Sequence, residues 1–374
     1  MQLNLPLVPI TDLAIHKREA ELVAATQGRA FWIFDDLPTL HQIMDAGGFK
    51  AAADTKLFKP KEAYRMAGGG GFNLPPTATI GKNPAGGVVV YYSLKAKPTT
   101  DLVIEFLDQG GKSINKFTTR LPRPGGGGPG QPAADQPQAG GGEEGGFGGG
   151  APARATTDVG LNRFVWDMRY PEATRFPGMI LWAGQTQGPR ISPGNYLVRL
   201  TVDGQTLSQT FEVRPDPRLS TTAADYAKQL DLSLKIRDKL TETHNAIIQI
   251  RDVKKQVDDL LKRVGPQSKP IADAGNGLIK KLTEVEEALY QTKNQSSQDP
   301  LNFPIRLNNK LAALMGVVSR SETPPNEQSI AVFDELNGLI NAQLQKLAAI
   351  MKTDVPAFNQ LVKDQSIPAI VAKP

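Results

Sequence analysis

At Pro215-Asp216-Pro217-Arg218 the spacing of apolar residues changes from about two to about three and a half, so strands must give way to helices there. Downstream, Thr221-Thr222 with Asp225 offers a helix N-terminus, because a hydroxyl and a carboxylate three residues apart can satisfy each other's backbone N–H groups. Leu240, Ile247, Ile250, Val257, Leu261 and Val264 then recur at heptad spacing until Gly265-Pro266 stops the helix. Some 40 residues at 1.5 Å each make it on the order of 60 Å long, too long to hide its own stripe. Partners follow in Ile271–Lys293 (Leu278, Leu282, Val285, Leu289), Pro304–Ser319 (Leu307, Leu311, Leu314, Val318) and Pro325–Lys352 (Phe333, Leu336, Ile340, Leu347). Val355–Val362 adds a short final turn. The polar loops 294–300 and 321–325 predict an antiparallel bundle.

Upstream, Gly87–Leu94, Asp101–Leu107, Ser113–Thr119, Asn162–Met168, Gly194–Val202 and Gln205–Val213 are short, rich in β-branched and aromatic residues, and bounded by Gly, Pro and Asp. Asp203-Gly204 predicts a two-residue hairpin turn, and Asp108–Lys112 a second hairpin. Tyr196, Val198, Leu200 and Val202 share one strand face, with Leu197, Arg199 and Thr201 on the other, so one face is buried and one wetter. About seven strands in roughly 150 residues suit an immunoglobulin-like sandwich. The stretch Pro122–Thr157, with GGGGPG and GGGEEGGFGGG, cannot bury apolar area and predicts a disordered insert. It lacks the GK[ST] ending of a phosphate-binding loop.

The start of the chain is the third region. Ile10–His16, Glu21–Thr26 and Ala30–Phe34 predict three short strands that arrive before anything they could pair with, as if they ended a repeated β-unit of a longer protein.

Reactive constellations are scarce. The chain has no Cys, which excludes disulfides, thiolate metal sites and cysteine nucleophiles. Its three histidines, His16, His41 and His244, stand apart and in no HExxH pattern, so isolated surface or structural roles are expected, with no metal site and no cofactor. Asp35-Asp36 follows a strand end, where Asp caps turns, and Glu143-Glu144 lies in the glycine-rich insert. No catalytic residue is assigned. The 43 basic and 38 acidic residues are interspersed along the helical half, as on a solvated face, and nucleic acid is not an expected partner. No run approaches the roughly 20 apolar residues of a transmembrane helix, and Met1–Pro6 lacks the basic start of a secretory signal. Candidate ligand contacts are aromatic and cationic: Trp166, Arg169, Tyr170 and Trp182 flank a long loop. Trp166 also alternates with Phe164, which places both on a buried strand face.

Asp12–His16 followed by Glu21–Leu37 (ELVAATQGRAFWIFDDL) resembles the closing blade of large bacterial proteins with sortilin-like, BNR-type or photosystem-assembly-factor-like β-propellers, proteins often labelled glycosyl hydrolases on repeat similarity. FVWDMRYP (164–171), FPGMILWAG (176–184), the segment 194–218 and IRDKLTETHNAI (236–247) resemble the module that follows such propellers. The stretch from WDM to PGNYLVRL is also similar to the immunoglobulin-like domain of flagellar hook-capping proteins and of secretion-linked C-terminal domains. The resemblance implies export to the periplasm, medium or cell surface, and a hydrolase site, if any, in the propeller repeats. The Asp-box pattern SxDxGxTW is absent from this chain.

The expectation is a multidomain α+β protein: a propeller-blade remnant over 1–45, an immunoglobulin-like sandwich over 46–215 carrying the insert 122–157, and an antiparallel α-helical bundle over 216–374. Its expected role is that of a non-catalytic structural or interaction module of an exported propeller protein. The alternative is an accessory carbohydrate- or peptide-binding module. A protein or glycan partner, and self-association through the bundle, belong to the same expectation.

Overall fold

The computed structural model describes residues 5, 7–48, 54–66, 85–121, 154–264 and 268–365. The chain is an α+β protein, with β-sheets in its N-terminal part and five helices in its C-terminal region. It divides into two compact units. The described residues up to Tyr170 form the first together with Arg190–Ser220, and Pro171–Pro189 with Thr221 onward form the second.

In the first unit, β1 (Ile10–His16), β2 (Glu21–Thr26) and β3 (Phe31–Phe34) make an antiparallel three-stranded sheet in the order β1-β2-β3. This corrects the expectation that these strands have no partners: they pair with one another. Four-residue connections achieve it, with Gly28 and Ala30 in the left-handed region (φ 77° and 62°) and the Thr26 N–H returning to the Ala30 carbonyl. A short helix, α1 (Leu37–Asp45), follows; its Leu37 and Ile43 are buried.

Eight further strands form two sheets. β4 (Lys56–Leu57), β6 (Val88–Leu94) and β9 (Gly160–Trp166) pair in the order β4-β6-β9. β5 (Ala63–Arg65), β7 (Leu102–Leu107), β8 (Ser113–Thr119), β10 (Gly194–Val202) and β11 (Gln205–Pro215) pair in the order β5-β11-β10-β7-β8, with β5 parallel to β11. Alternate residues of both sheets meet in one core. Val88, Val90, Tyr92, Phe164 and Trp166 come from one sheet, and Ile104, Phe106, Val198, Leu200 and Phe211 from the other. Tyr196, Val198, Leu200 and Val202 are all buried, as their period of two requires. The β10–β11 turn is fixed by positive φ at Asp203 (46°) and Gly204 (76°). Asp203 Oδ1 also accepts from the backbone N–H groups of Thr99 (2.8 Å) and Thr100 (2.9 Å), tying that turn to the start of β7.

Of the expected insert, residues 122–153 lie outside the described residues. Its last residues, 154–157, are anchored rather than loose. Ala155 is buried, its carbonyl accepts from Thr119 Oγ1 at 2.9 Å, and the Tyr92 hydroxyl donates to the Thr156 carbonyl. An apolar methyl and two backbone acceptors suffice to anchor this end against β6 and β8.

The second unit is helical: α2 (Ala223–Val264), α3 (Lys269–Leu289), α4 (Leu307–Val318), α5 (Glu327–Ala349) and α6 (Val355–Asp364). Thr222 and Asp225 form the reciprocal cap at the start of α2, with Thr222 Oγ1 accepting from the Asp225 N–H (3.2 Å) and the Asp225 carboxylate from the Thr222 N–H (3.1 Å). Leu240, Ile247 and Ile250 of α2 are completely buried against Leu282 and Leu289 of α3, Leu311 of α4 and Ile340 of α5. Between α5 and α6, Ile350–Asp354 adopts π-helical bonding. Pro356 has no N–H to return to the carbonyl of Lys352, so the bonding register shifts and the helix continues. The segment Pro171–Pro189 lies on these helices as a strap, burying Ala173 and Phe176 in their core.

Candidate functional site

The β1–β3 sheet presents the least satisfied surface of the first unit. Cross-strand register places Leu13, Ala24 and Trp32 in one row and Ile15, Leu22 and Phe34 in the next, on the same face. The opposite face carries Ala14, Val23 and Ile33, then Asp12, Ala25 and Phe31. Both faces carry exposed apolar side chains, although Ala24 at the middle of the first is buried and Leu22, Val23, Trp32 and Phe34 are half-buried. Leu13 is 60% and Ile15 64% exposed on the first, and Phe31 74% and Ile33 57% on the second. β1 is exposed along its whole length and forms one edge of the sheet. A sheet that faces water on one side alternates apolar with polar residues; apolar residues on both sides call for a cover on both.

A polar cluster sits where this sheet meets the rest of its unit. Glu21 pairs with Lys61 at 3.0 Å, and the Tyr91 hydroxyl donates to Asp36 Oδ2 at 2.6 Å. Burial, then the Tyr91 hydrogen bond to Asp36 and the charge of that carboxylate, hold the phenol well above its usual range. Asp35 is also raised, chiefly by burial and secondarily by Glu21 and Asp36. Asp36 occupies the helix N-cap position of α1, yet its side chain bonds Tyr91 and makes no cap hydrogen bond. The cluster therefore attaches the sheet instead of capping a turn.

The four aromatic and cationic candidates are divided between the two units. In the first, Trp166 has 0% of its surface exposed, stacks on Phe106 with ring centroids 4.0 Å apart, and donates its indole N–H to the Arg169 carbonyl at 3.1 Å. No ring face is left for a ligand. Arg169 has its guanidinium 3.7 Å from the Asp167 carboxylate, and its carbonyl also accepts from Asn115 Nδ2. Tyr170 packs half-buried against the two-sheet core. Trp182 belongs to the second unit, on the strap, and is 39% exposed. Trp166, Arg169 and Tyr170 are thus neighbours in one unit, and Trp182 stands in the other.

Two polar features lie in the interior of the second unit, one at Glu286 and one at His244. Glu286 is buried in the wall of a groove of about 460 Å³ between α2 and α3, with Arg251 Nε at 2.7 Å and Lys254 Nζ at 3.1 Å. Arg251 also lies over the Phe176 ring, 4.7 Å from its centroid. The ion pairs fasten α2 to α3, and the contact of Arg251 with Phe176 adds the strap. His244 is completely buried; Nδ1 hydrogen-bonds the Thr174 carbonyl, and Nε2 faces the Asn308 amide nitrogen at 3.2 Å. A carbonyl can only accept, so Nδ1 carries the proton and Nε2 accepts from Asn308. Burial depresses the His244 pKa. Among the described residues no group of three or more His, Asp and Glu side chains is arranged to hold a metal ion, and no helix is long and apolar enough to cross a membrane.

No family model and no curated protein matches the chain. Among solved structures the chain is similar to pT26-6p at 13% identity over 74% of its length and 46% of that chain, so it spans about half of that protein. The TM-score is 0.15, which carries no argument about fold or activity.

Proposed function

We propose that this chain is a non-catalytic structural and interaction module of an exported bacterial β-propeller protein. In this reading β1–β3 belong to one blade, the two facing sheets form an immunoglobulin-like sandwich, and α2–α6 form an antiparallel bundle that can also self-associate. The observation that carries it is the exposure of apolar side chains on both faces of one three-stranded sheet, Leu13 and Ile15 on one and Phe31 and Ile33 on the other. Blades of a propeller stack face to face around an axis, so each blade needs apolar residues on both sides. A sheet that merely lined one domain core would need them on one. The resemblance of residues 12–37 to a closing blade points the same way.

The test is the size and location of the native protein. An antibody raised against the helical unit is expected to detect, in fractionated cells of the source organism, a polypeptide several times larger than the 40.4 kDa of this chain, outside the cytoplasm. A native band at 40.4 kDa in the cytoplasmic fraction overturns the proposal. Sedimentation of the purified chain over a concentration series checks self-association.

A second reading, an accessory carbohydrate- or peptide-binding module, is favoured by one observation: Trp182 is a large aromatic side chain held on the surface. Screening the chain against glycan and peptide arrays tests it, and blank arrays remove it.

A further inference from the structure

The solvent sides of two helices in the second unit differ in kind. Along α2, Lys228, Asp231, Lys235, Asp238 and Glu242 are exposed, a run of charges suited to water. α5 buries Phe333, Leu336, Ile340 and Leu347 on one side. At roughly 100° of turn per residue, Val332, Glu335, Leu339, Ala342, Lys346 and Ala349 share a second side, and all six are exposed. Val332 is 42% and Leu339 47% exposed. Apolar residues thus fill a helix side that on α2 is charged, and only one acid and one base stand among them.

Gly338 lies one turn before Ala342, in the middle of α5. Glycine destabilises a helix interior relative to alanine. A Cβ added at Gly338 would meet no described atom within 4 Å, so packing within the described chain gives no reason for its being glycine. A second helix passing close to this backbone does give one, because small residues at a crossing let the axes approach to about 8 Å.

The two charges select the partner and its direction. Neither Glu335 nor Lys346 has an ion pair among the described residues, and about three turns of helix keep them from pairing within one chain. Two α5 helices lying antiparallel about a two-fold axis at the Ile340–Asn341 bond set Glu335 of each copy level with Lys346 of the other. The same axis sets Leu339 level with Ala342 and Val332 level with Ala349, a large side chain beside a small one in both cases. Parallel pairing would set Glu335 on Glu335 and Lys346 on Lys346, which repel.

We propose that this side of α5 is an antiparallel two-fold interface between two copies of the chain. The proposal rests on the reading that the helical bundle self-associates, and it names the surface and the direction. Sedimentation velocity of the full chain over a concentration series is expected to show a monomer–dimer equilibrium. Glu335→Lys and Lys346→Glu each weaken it about tenfold by setting like charges together, and the double variant restores it. Leu339→Glu weakens it at least as much. All three positions are exposed, and circular dichroism at 222 nm checks that each variant keeps its helices. The chain has no Cys, so a single introduced thiol reports on direction. Oxidation links two copies of Ala342→Cys, whose thiols lie roughly 5 Å apart along the axis, and leaves Ala349→Cys, roughly 25 Å from its counterpart, unlinked. Dimerisation untouched by the charge and Leu339 variants overturns this interface and leaves self-association through another surface standing. Linkage at Ala349→Cys as readily as at Ala342→Cys overturns the antiparallel order. A monomer at every concentration removes both the interface and the self-association reading.

Discussion

The sheet of β1–β3 and the two sheets of β4–β11 are made of the same kinds of residue and end in opposite states. In the larger pair, a row of Val, Ile and aromatic side chains from one sheet meets a matching row from the other, and Phe106, Phe164, Trp166 and Phe211 interlock in stacked and edge-on contacts. In the smaller sheet, Leu13, Ile15, Phe31 and Ile33 point away from the strands on both sides and stay in water. Strand-forming residues therefore secure pairing, which both regions achieve; only a facing layer turns apolar residues into stability.

The comparison breaks most directly at Trp166. Its replacement by alanine removes a fully buried ring and its hydrogen bond to Arg169, and about 3–5 kcal/mol of stability of the first unit is expected to go with it. Urea unfolding followed by near-ultraviolet circular dichroism reads the loss. A shift below about 1 kcal/mol would mean that the two sheets do not share the core described above.

Much of this difference was legible in the sequence. The period of two in Tyr196–Val202, the Asp203-Gly204 turn, the heptad stripe of α2 and the Thr222/Asp225 cap each settle by local rules, and each lies where those rules put it. The pairing of β1–β3 did not follow, because strand periodicity says which residues pair-forming segments contain and not with whom they pair. β4 and β5 are two and three residues long, below any period, and exist through their hydrogen bonds to β6 and β11. α3 stops at Leu289, short of the expected Lys293, because Tyr290 turns extended and sends its hydroxyl to the Gly178 carbonyl on the strap, a partner more than a hundred residues away. The candidate site was half legible. Alternation with Phe164 marked Trp166 as core, whereas Trp182 is held by Asn309, more than a hundred residues away, which no local pattern connects to it.

The second unit supplies intermediate effects that sharpen the contrast between a core held by packing and one that also contains charge. Glu286→Ala leaves Arg251 and Lys254 facing each other without their shared carboxylate. Both cations are partly solvated, so a loss of about 1–3 kcal/mol is expected, less than for a fully buried pair. Guanidinium unfolding followed at 222 nm measures it, and an unchanged midpoint would show that the ion pairs do not fasten α3 to α2.

A smaller effect comes from His244. Its folded-state pKa lies below the ordinary value near 6.5 because burial disfavours the imidazolium. The unfolded chain therefore binds a proton where the folded chain does not. Stability contributed by the neutral ring is complete above the unfolded pKa, falls as the pH drops through it, and levels off below the folded pKa. Thermal unfolding of the helical unit between pH 7.5 and pH 5 reads that slope, and His244→Gln flattens it over this range. A wild-type midpoint that rises on acidification over the same range would reverse the sign and place the imidazolium in the folded state.

The smallest expected effect returns to the bare sheet and bears hardest on the comparison. Leu13→Ser and Phe31→Ser each remove apolar surface that the chain alone leaves in water, so neither should cost the unit more than about 0.5 kcal/mol. The unfolded chain exposes these side chains too, and burial free energy arises only where exposure differs between the two states. Both substitutions should instead reduce binding of a dye such as anilinonaphthalene sulfonate and raise solubility, since patches of this kind recruit other apolar surfaces. They lie on opposite faces, so combining them should add both reductions in dye binding, one for each face. A loss of 2 kcal/mol or more from either one, on the scale of a core truncation, would mean that its face is already covered within the chain, and the blade reading would lose the observation that carries it.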